Sequence, residues 1–373
     1  MLKSAATALI LASFLAAPAS AQVKIGVAGP MTGSFSPYGA QMAAGAAQAA
    51  SVINARGGLN GERVELVVLD DLSDPTRAEA IAQSLVEQEV SAVIGHFTTG
   101  ASNAAAPIYA DAGIVMISPA STDPTLTERG LWNVFRVVQR DDHQGDVAGR
   151  HLATEFGEGR IGIVHDKSAY GKGLADRARQ VMNDLGANDV LYTGIDVGES
   201  SYASLIARLR DADLDVVFFG GLHAEAGIIL RQMRDAGIDA TFIAGDGILS
   251  PSFVTLAGEA AEGALMTAAL EFGADENGQA LMSALDEAGL ESGRYALNTF
   301  VALRAVEEAA RIAGTNDPRV IADTMRAGTQ LDTEIGPISF DAKGDATFAE
   351  YGLFAWRESE SGFVDYRGNL VAR

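Results

Sequence analysis

Two hydroxyl-rich loops, Thr98-Thr99-Gly100 and Ser118-Pro119-Ala120-Ser121-Thr122, are the residues of this chain best suited to holding a small polar molecule. Hydroxyls and free backbone N–H groups donate to a carboxylate, and a loop carbonyl such as that of Ala120 accepts from a cation. Neither loop carries a recognisable base beside its hydroxyls, so the chemistry on offer is binding rather than catalysis. Further along, Tyr170 stands at the start of a helical pattern and Asp246 lies in Ala244-Gly245-Asp246-Gly247. Asp246 reads equally well as a turn residue between glycines and as an acidic group at a strand end.

The elements that must position these groups follow from the apolar runs. Ala92-Val93-Ile94-Gly95 and Ile114-Val115-Met116-Ile117 look like buried parallel strands, with a small-residue helix over 101–111 between them. This is a βαβ unit. Ligands of open α/β sheets bind outside the carboxyl ends of the strands, and both hydroxyl loops lie there. Strands are expected at 23–28, 64–69 and 133–137 around this unit, with a helix over 39–55 and another started by Ser73-Asp74-Pro75. A second alternating series has strands at 161–165, 190–195, 215–219 and 241–244 and helices over 173–185, 202–211 and 224–236. A strand at 263–267, three helices (278–288, 296–312, 318–327) and two strands near 338–340 and 351–356 complete the pattern. The fold class is therefore α/β, with two doubly wound lobes and a tail that finishes both.

Enzyme signatures are absent: there is no Gly-x-Ser-x-Gly elbow, no His-Glu-x-x-His and no Walker loop. Gly29-Pro30-Met31-Thr32-Gly33 lacks the dinucleotide spacing. The five histidines are scattered and read as hydrogen-bonded structural residues. Asp70-Asp71 reads as a solvated loop rather than a metal pair. With no cysteine, thiolate metal sites and disulfides are excluded. No catalytic residue, metal or cofactor is expected. A net charge of −22 argues against nucleic acid as a partner.

The length of 373 residues favours two domains. Residues 1–21 have the form of a signal peptide, with Lys3 before an apolar stretch and Ala19-Ser20-Ala21 as a cleavage site. Export and cleavage near Ala21 are the expectation. No later run is apolar and long enough to span a membrane.

Several segments together carry a resemblance to a known family. They are Gly29-Pro30-Met31-Thr32-Gly33, Ile53-Asn54-Ala55-Arg56-Gly57-Gly58, Asp70-Asp71, Val93-Ile94-Gly95-His96 and Met116-Ile117-Ser118-Pro119. To these add His165-Asp166-Lys167 with Tyr170-Gly171, Gly220-Gly221 with Glu225, and Ile335-Gly336-Pro337-Ile338. In this order they resemble the periplasmic branched-chain amino-acid binding proteins of ABC transporters, within the type I solute-binding fold. The resemblance implies two lobes joined by three crossovers, with 22–140 plus 269–349 as one lobe and 141–268 plus 350–373 as the other. It implies capture of a free, aliphatic L-amino acid by hinge closure, delivery to an inner-membrane permease, a periplasmic location and a monomeric chain. Carried over residue by residue, Thr99 offers a hydroxyl to the ligand carboxylate. Thr122 helps from the neighbouring loop, Ser121 beside it, and the Ala120 carbonyl faces the ammonium. Asp246 stands where the family's acidic partner is Glu. Tyr38, Tyr170 and Tyr295 match aromatic cleft positions, and Leu222 replaces a further Tyr. The disulfide positions of some members are Ser73 and Thr98 here. Leu222 and Asp246 leave room for other ligands on the same fold, such as an amide, an aromatic acid or another small carboxylate. A periplasmic hydrolase would need a nucleophile–base pair that the sequence does not display.

Overall fold

The computed structural model describes residues 22–269, 276–347, 351–358, 364–365 and 370–372. The first half alternates strand and helix: β1 (Gln22–Gly29), α1 (Ser36–Ala55), β2 (Arg63–Asp70), α2 (Pro75–Glu87), β3 (Ala92–Gly95), α3 (Thr99–Ala112), β4 (Val115–Ser118), α4 (Thr125–Glu128) and β5 (Val134–Arg136). The second series is α5 (Asp141–Phe156), β6 (Ile161–His165), α6 (Ala169–Asp184), β7 (Asp189–Gly194), α7 (Ala203–Asp211), β8 (Val216–Gly220), α8 (His223–Asp235), β9 (Thr241–Ala244), α9 (Pro251–Ala257) and β10 (Leu265–Ala269). Then come α10 (Glu276–Glu287), α11 (Arg294–Ala313), α12 (Pro318–Arg326), β11 (Leu331–Thr333), β12 (Gly336–Ile338), β13 (Tyr351–Ala355), β14 (Arg357–Glu358), β15 (Val364–Asp365) and β16 (Leu370–Ala372).

Two sheets result. The first, ordered β2-β1-β3-β4-β5, is parallel throughout. The second, ordered β16-β13-β10-β9-β8-β6-β7, is parallel from β10 to β7, with β13 and β16 added antiparallel at one side. Strand order reverses between β1 and β3 in one sheet and between β6 and β8 in the other, the crevices where such sheets bind ligands. The central strands of each sheet are buried on both faces, which explains why they are continuous apolar runs rather than alternating ones. Ile25, Ile94, Ile117 and Phe135 pack under α1, α11 and α12, while Val93, Met116 and Val134 pack under α2 and α3. In the second lobe Val217, Phe219 and Phe242 face α7, α8 and α9, and Ile163, Val216 and Phe218 face α5 and α6.

Close helix approach fixes these layers. In α1, a Cβ at Gly45 would stand 2.1 Å from the Ala296 carbonyl oxygen of α11, so only glycine lets the two backbones meet there. Capping follows sequence: the Asp74 side chain accepts the Arg77 N–H ahead of Pro75, and Ser168 accepts from Gly171.

Most expected elements are present with ends shifted by no more than four residues. The expectation omitted α5, whose glycines hide it. A Cβ at Gly145 would reach 2.5 Å from the Arg177 side chain of α6, so glycine is required for packing where a helix former would have advertised the helix. The strand expected near 338–340 is instead the hairpin β11–β12, and Phe340 makes only an isolated bridge to Ala346. The chain passes from the first sheet to the second between β5 and α5. Arg136, fully buried, is clamped there to Asp345, and Arg140 binds Asp345, Glu128 and Asp142. The signal-peptide reading over 1–21 and the lobe boundary at 349–350 lie outside the described residues. Among the described residues, no helix is long and apolar enough to cross a membrane.

Candidate functional site

The carboxyl ends of both sheets face one another, and the hydroxyl loops are held there by a buried relay. Asp71 Oδ2 lies 2.6 Å from His96 Nδ1, and His96 Nε2 lies 3.0 Å from the Tyr109 hydroxyl. All three side chains are fully buried. The neighbouring Asp70 tethers the Met31 and Leu72 amides and the Thr32 hydroxyl. Asp70-Asp71 is therefore not a solvated pair as expected. Asp71 spends its charge fixing the turn that carries His96. The His96 carbonyl in turn accepts from Ser102 and Ser118, and Ser121 Oγ bonds Ser102 Oγ at 2.6 Å. Ser121 thus holds its own loop together.

What the relay presents is Thr99 and Thr122. Both are 2 % exposed, and among the described residues neither hydroxyl makes a well-formed hydrogen bond, although the Thr122 hydroxyl lies close enough to Asp141 to favour its charged form. Thr99 opens α3, so the free N–H groups of that first turn and the positive end of the helix dipole lie alongside. Ala120 lies on the same loop, half-buried against Tyr38, Phe97 and Tyr295. Buried polar groups left unpartnered cost about 1–3 kcal/mol each, so two of them, one opening α3 and one on the neighbouring loop, mark a place built for a further polar group.

The facing lobe supplies the acid. Asp246 begins a short 3-10 turn after β9 and is buried, and its Oδ1 accepts the Tyr170 hydroxyl at 3.0 Å. Tyr170 also accepts the Gly247 N–H at 3.0 Å. Burial raises the Asp246 carboxyl above its ordinary range, against the opposing influence of Gln144, Arg294 and Tyr170. Burial, and then the charges of Asp246 and Asp141, hold the Tyr170 phenol well above its usual range, so it remains a donor.

Tyr38 joins the lobes. Fully buried in α1, it donates its hydroxyl to the Gly247 carbonyl at 3.1 Å. Its ring stacks on Phe97 at 4.6 Å and meets Tyr295 and His223 edge-on at 5.2 and 5.0 Å. Tyr295 is anchored through its amide to Gln41 Oε1. Leu222 caps α8 and lies close to Gly247. All nine residues singled out from sequence thus lie on loops and helix starts at the facing sheet ends.

Sequence reasoning missed four neighbours. Phe97 and His223 complete the aromatic group around Tyr38. His223 carried no motif, although it directly follows Leu222. Burial lowers its imidazole to about 4, so it packs neutral. Asp141 and Gln144 come from α5, the omitted helix. Asp141 is 2 % exposed, its amide donates to the Thr122 carbonyl at 2.8 Å, and neither carboxylate oxygen has a hydrogen-bond partner. Among the described residues, no group of three or more His, Asp or Glu side chains is placed to hold a metal.

The family model of periplasmic binding proteins matches residues 22–361. The chain is 42% identical over 346 residues to the Leu/Ile/Val-binding protein homolog 2 of Brucella abortus, covering 93% of each chain. Its fold is similar to that of a leucine binding protein from Thermotoga maritima, with a TM-score of 0.83 and 26% identity over 94% of this chain and 99% of that one. It is likewise similar to a branched-chain amino acid transporter substrate binding protein from Streptococcus pneumoniae, solved in complex with isoleucine, with a TM-score of 0.81 and 26% identity over 94% and 100% of the two chains. Two facing α/β lobes, a cleft of binding groups without a nucleophile–base pair, and these similarities lead to one assignment: the chain belongs to the periplasmic binding protein family, whose members bind solutes for transporters and are not enzymes.

Proposed function

We propose that this protein captures a free L-amino acid of the leucine, isoleucine and valine class by closing its lobes, and delivers it to an inner-membrane permease. The observation that carries the reading is a buried acid, Asp246, on one lobe and the buried hydroxyls of Thr99 and Thr122 on the other, where the Tyr38–Gly247 hydrogen bond joins the two lobes. A zwitterion satisfies both ends. Its carboxylate takes the Thr99 and Thr122 hydroxyls and the N–H groups of α3. Its ammonium takes Asp246 and the Ala120 carbonyl through charge-assisted hydrogen bonds. The aliphatic side chain meets the apolar surface of Tyr38, Tyr295 and Leu222, with Tyr170 holding Asp246 in place. Leu222 gives a wider and more apolar wall than a tyrosine. The names of the relatives support the same ligand class.

Residues 1–21 direct export and are removed near Ala21, the lobes divide as 22–140 plus 269–349 and 141–268 plus 350–373, and the protein acts as a monomer. A dissociation constant near micromolar or tighter corresponds to about 8 kcal/mol or more, within reach of one ion pair, several hydrogen bonds and one buried aliphatic group. Thermal-shift screening against free amino acids and small carboxylates tests this. Leucine, isoleucine and valine should raise the melting temperature. Unchanged melting with every aliphatic amino acid, alongside stabilisation by an aromatic acid or amide, overturns it.

A further inference from the structure

Asp141 is a carboxylate buried at the start of α5. It is 2 % exposed, and both of its oxygens lack a hydrogen-bond partner. Its place in the first turn of α5 favours a negative charge, but among the described residues no donor forms a full hydrogen bond with it. Arg136, the nearest cation on the preceding strand, is committed to Asp345, Thr127 and the Ser121 and Asp123 carbonyls. The chain neighbours Arg140 and Asp142 pair with one another. From the packed elements, Asp246, Tyr170 and Tyr351 face Asp141, and Arg294 acts on Asp246 from α11. Asp123 adds a further negative charge. Two carboxylates that sense each other in a buried space cannot both be charged without a cation between them.

Resting on the amino-acid reading above, we infer that Asp141 is a second carboxylate of the ligand site, accepting an N–H of the ligand ammonium beside Asp246, and that the pair releases one proton to the buffer when the ammonium enters. The charge balances. Before capture the two carboxylates share one proton and carry one negative charge. After capture both are ionised, and the ammonium takes the place of the proton. An ammonium has three N–H donors, and Asp246, Asp141 and the Ala120 carbonyl are three acceptors drawn from both lobes. Burial, reinforced by the Asp246 charge, holds the Asp141 carboxyl well above the usual range, with the Thr122 hydroxyl and Arg136 opposing. The site therefore selects for a primary ammonium and against ligands that bring only a carboxylate.

Calorimetric titration of the mature chain with L-leucine, repeated in buffers of different ionisation enthalpy, reads this directly. Up to one proton should be released per leucine bound. The dissociation constant should fall by up to about tenfold per pH unit as pH rises towards the shifted carboxyl value, and level off above it. Asp141→Asn should abolish the release and flatten the pH dependence. The wild-type measurement stands on its own if that variant does not fold. Tight leucine binding with no proton released between about pH 5 and 8 overturns the inference and leaves amino-acid capture intact. An absence of binding by leucine, isoleucine and valine overturns both.

Discussion

Tyr38→Phe removes a single oxygen, and the structure says which equilibrium will notice. The phenyl ring keeps its stack on Phe97 and its edge contacts with Tyr295 and His223. What disappears is the 3.1 Å hydrogen bond to the Gly247 carbonyl on the opposite lobe. With the lobes apart, water satisfies both groups, so the loss falls on closure alone. A buried carbonyl left without a donor costs about 1–3 kcal/mol. Because ligand affinity is reduced by whatever closure loses, the leucine dissociation constant should rise by about 5- to 150-fold. The melting temperature of the unliganded chain should change far less. Titration calorimetry gives the first quantity, and small-angle scattering with and without leucine reports closure. A leucine dissociation constant within twofold of wild type in Tyr38→Phe would refute the reasoning, because it would mean the interlobe bond forms no part of the liganded state.

Three other substitutions probe different links. Asp246→Ala should weaken leucine binding by about 100-fold or more, since stranding a buried ion-pair partner costs about 3–5 kcal/mol. Calorimetry showing near-normal affinity would remove Asp246 from the site. His223 has a folded value of about 4, set by burial, below the ordinary value for an exposed imidazole. The unfolded chain therefore takes up its proton first. The stability His223 contributes is complete above the unfolded value near pH 6.5 and is lost as pH falls towards 4, by up to about 3 kcal/mol. His223→Phe should flatten this acid limb in urea titrations, and an imidazole NMR midpoint near 6.5 in the wild type would contradict it. Gly45→Ala forces a methyl against the Ala296 carbonyl and should cost about 1–3 kcal/mol of stability. An unchanged denaturation midpoint would show that α1 and α11 can separate freely.

Much of the scaffold was legible because the central strands of both sheets are buried on two faces and so appear as short apolar runs. β3, β6 and β9 fall on the residues expected, and the hydroxyl loops after β3 and β4 sit at the sheet edge as the βαβ pattern implies. The site was half legible. Tyr170 and Asp246 stood out as groups at strand ends, but nothing local ties Tyr38 to Gly247, more than two hundred residues away. Asp141 was hidden for a physical reason. Its helix carries Gly145 and Gly149 where α6 packs closest, which weakens the helical pattern and makes its acidic first turn look like a loop. Asp71 was misread for the converse reason. Adjacent carboxylates after a strand are ordinarily solvated, and only the long-range contact with His96 and Tyr109 explains why this one is buried.

The central claim, that the two lobes enclose an amino acid by its ammonium and carboxylate together, is tested most directly by titrating the mature chain with L-leucine and with its α-hydroxy analogue, which lacks only the ammonium. The account predicts one leucine per chain at micromolar affinity or tighter. It predicts binding of the analogue at least about 100-fold weaker, because a site built to pair a buried polar group rejects a ligand that leaves it unpaired. Equal affinity for the two ligands, or binding of the analogue alone, would contradict it.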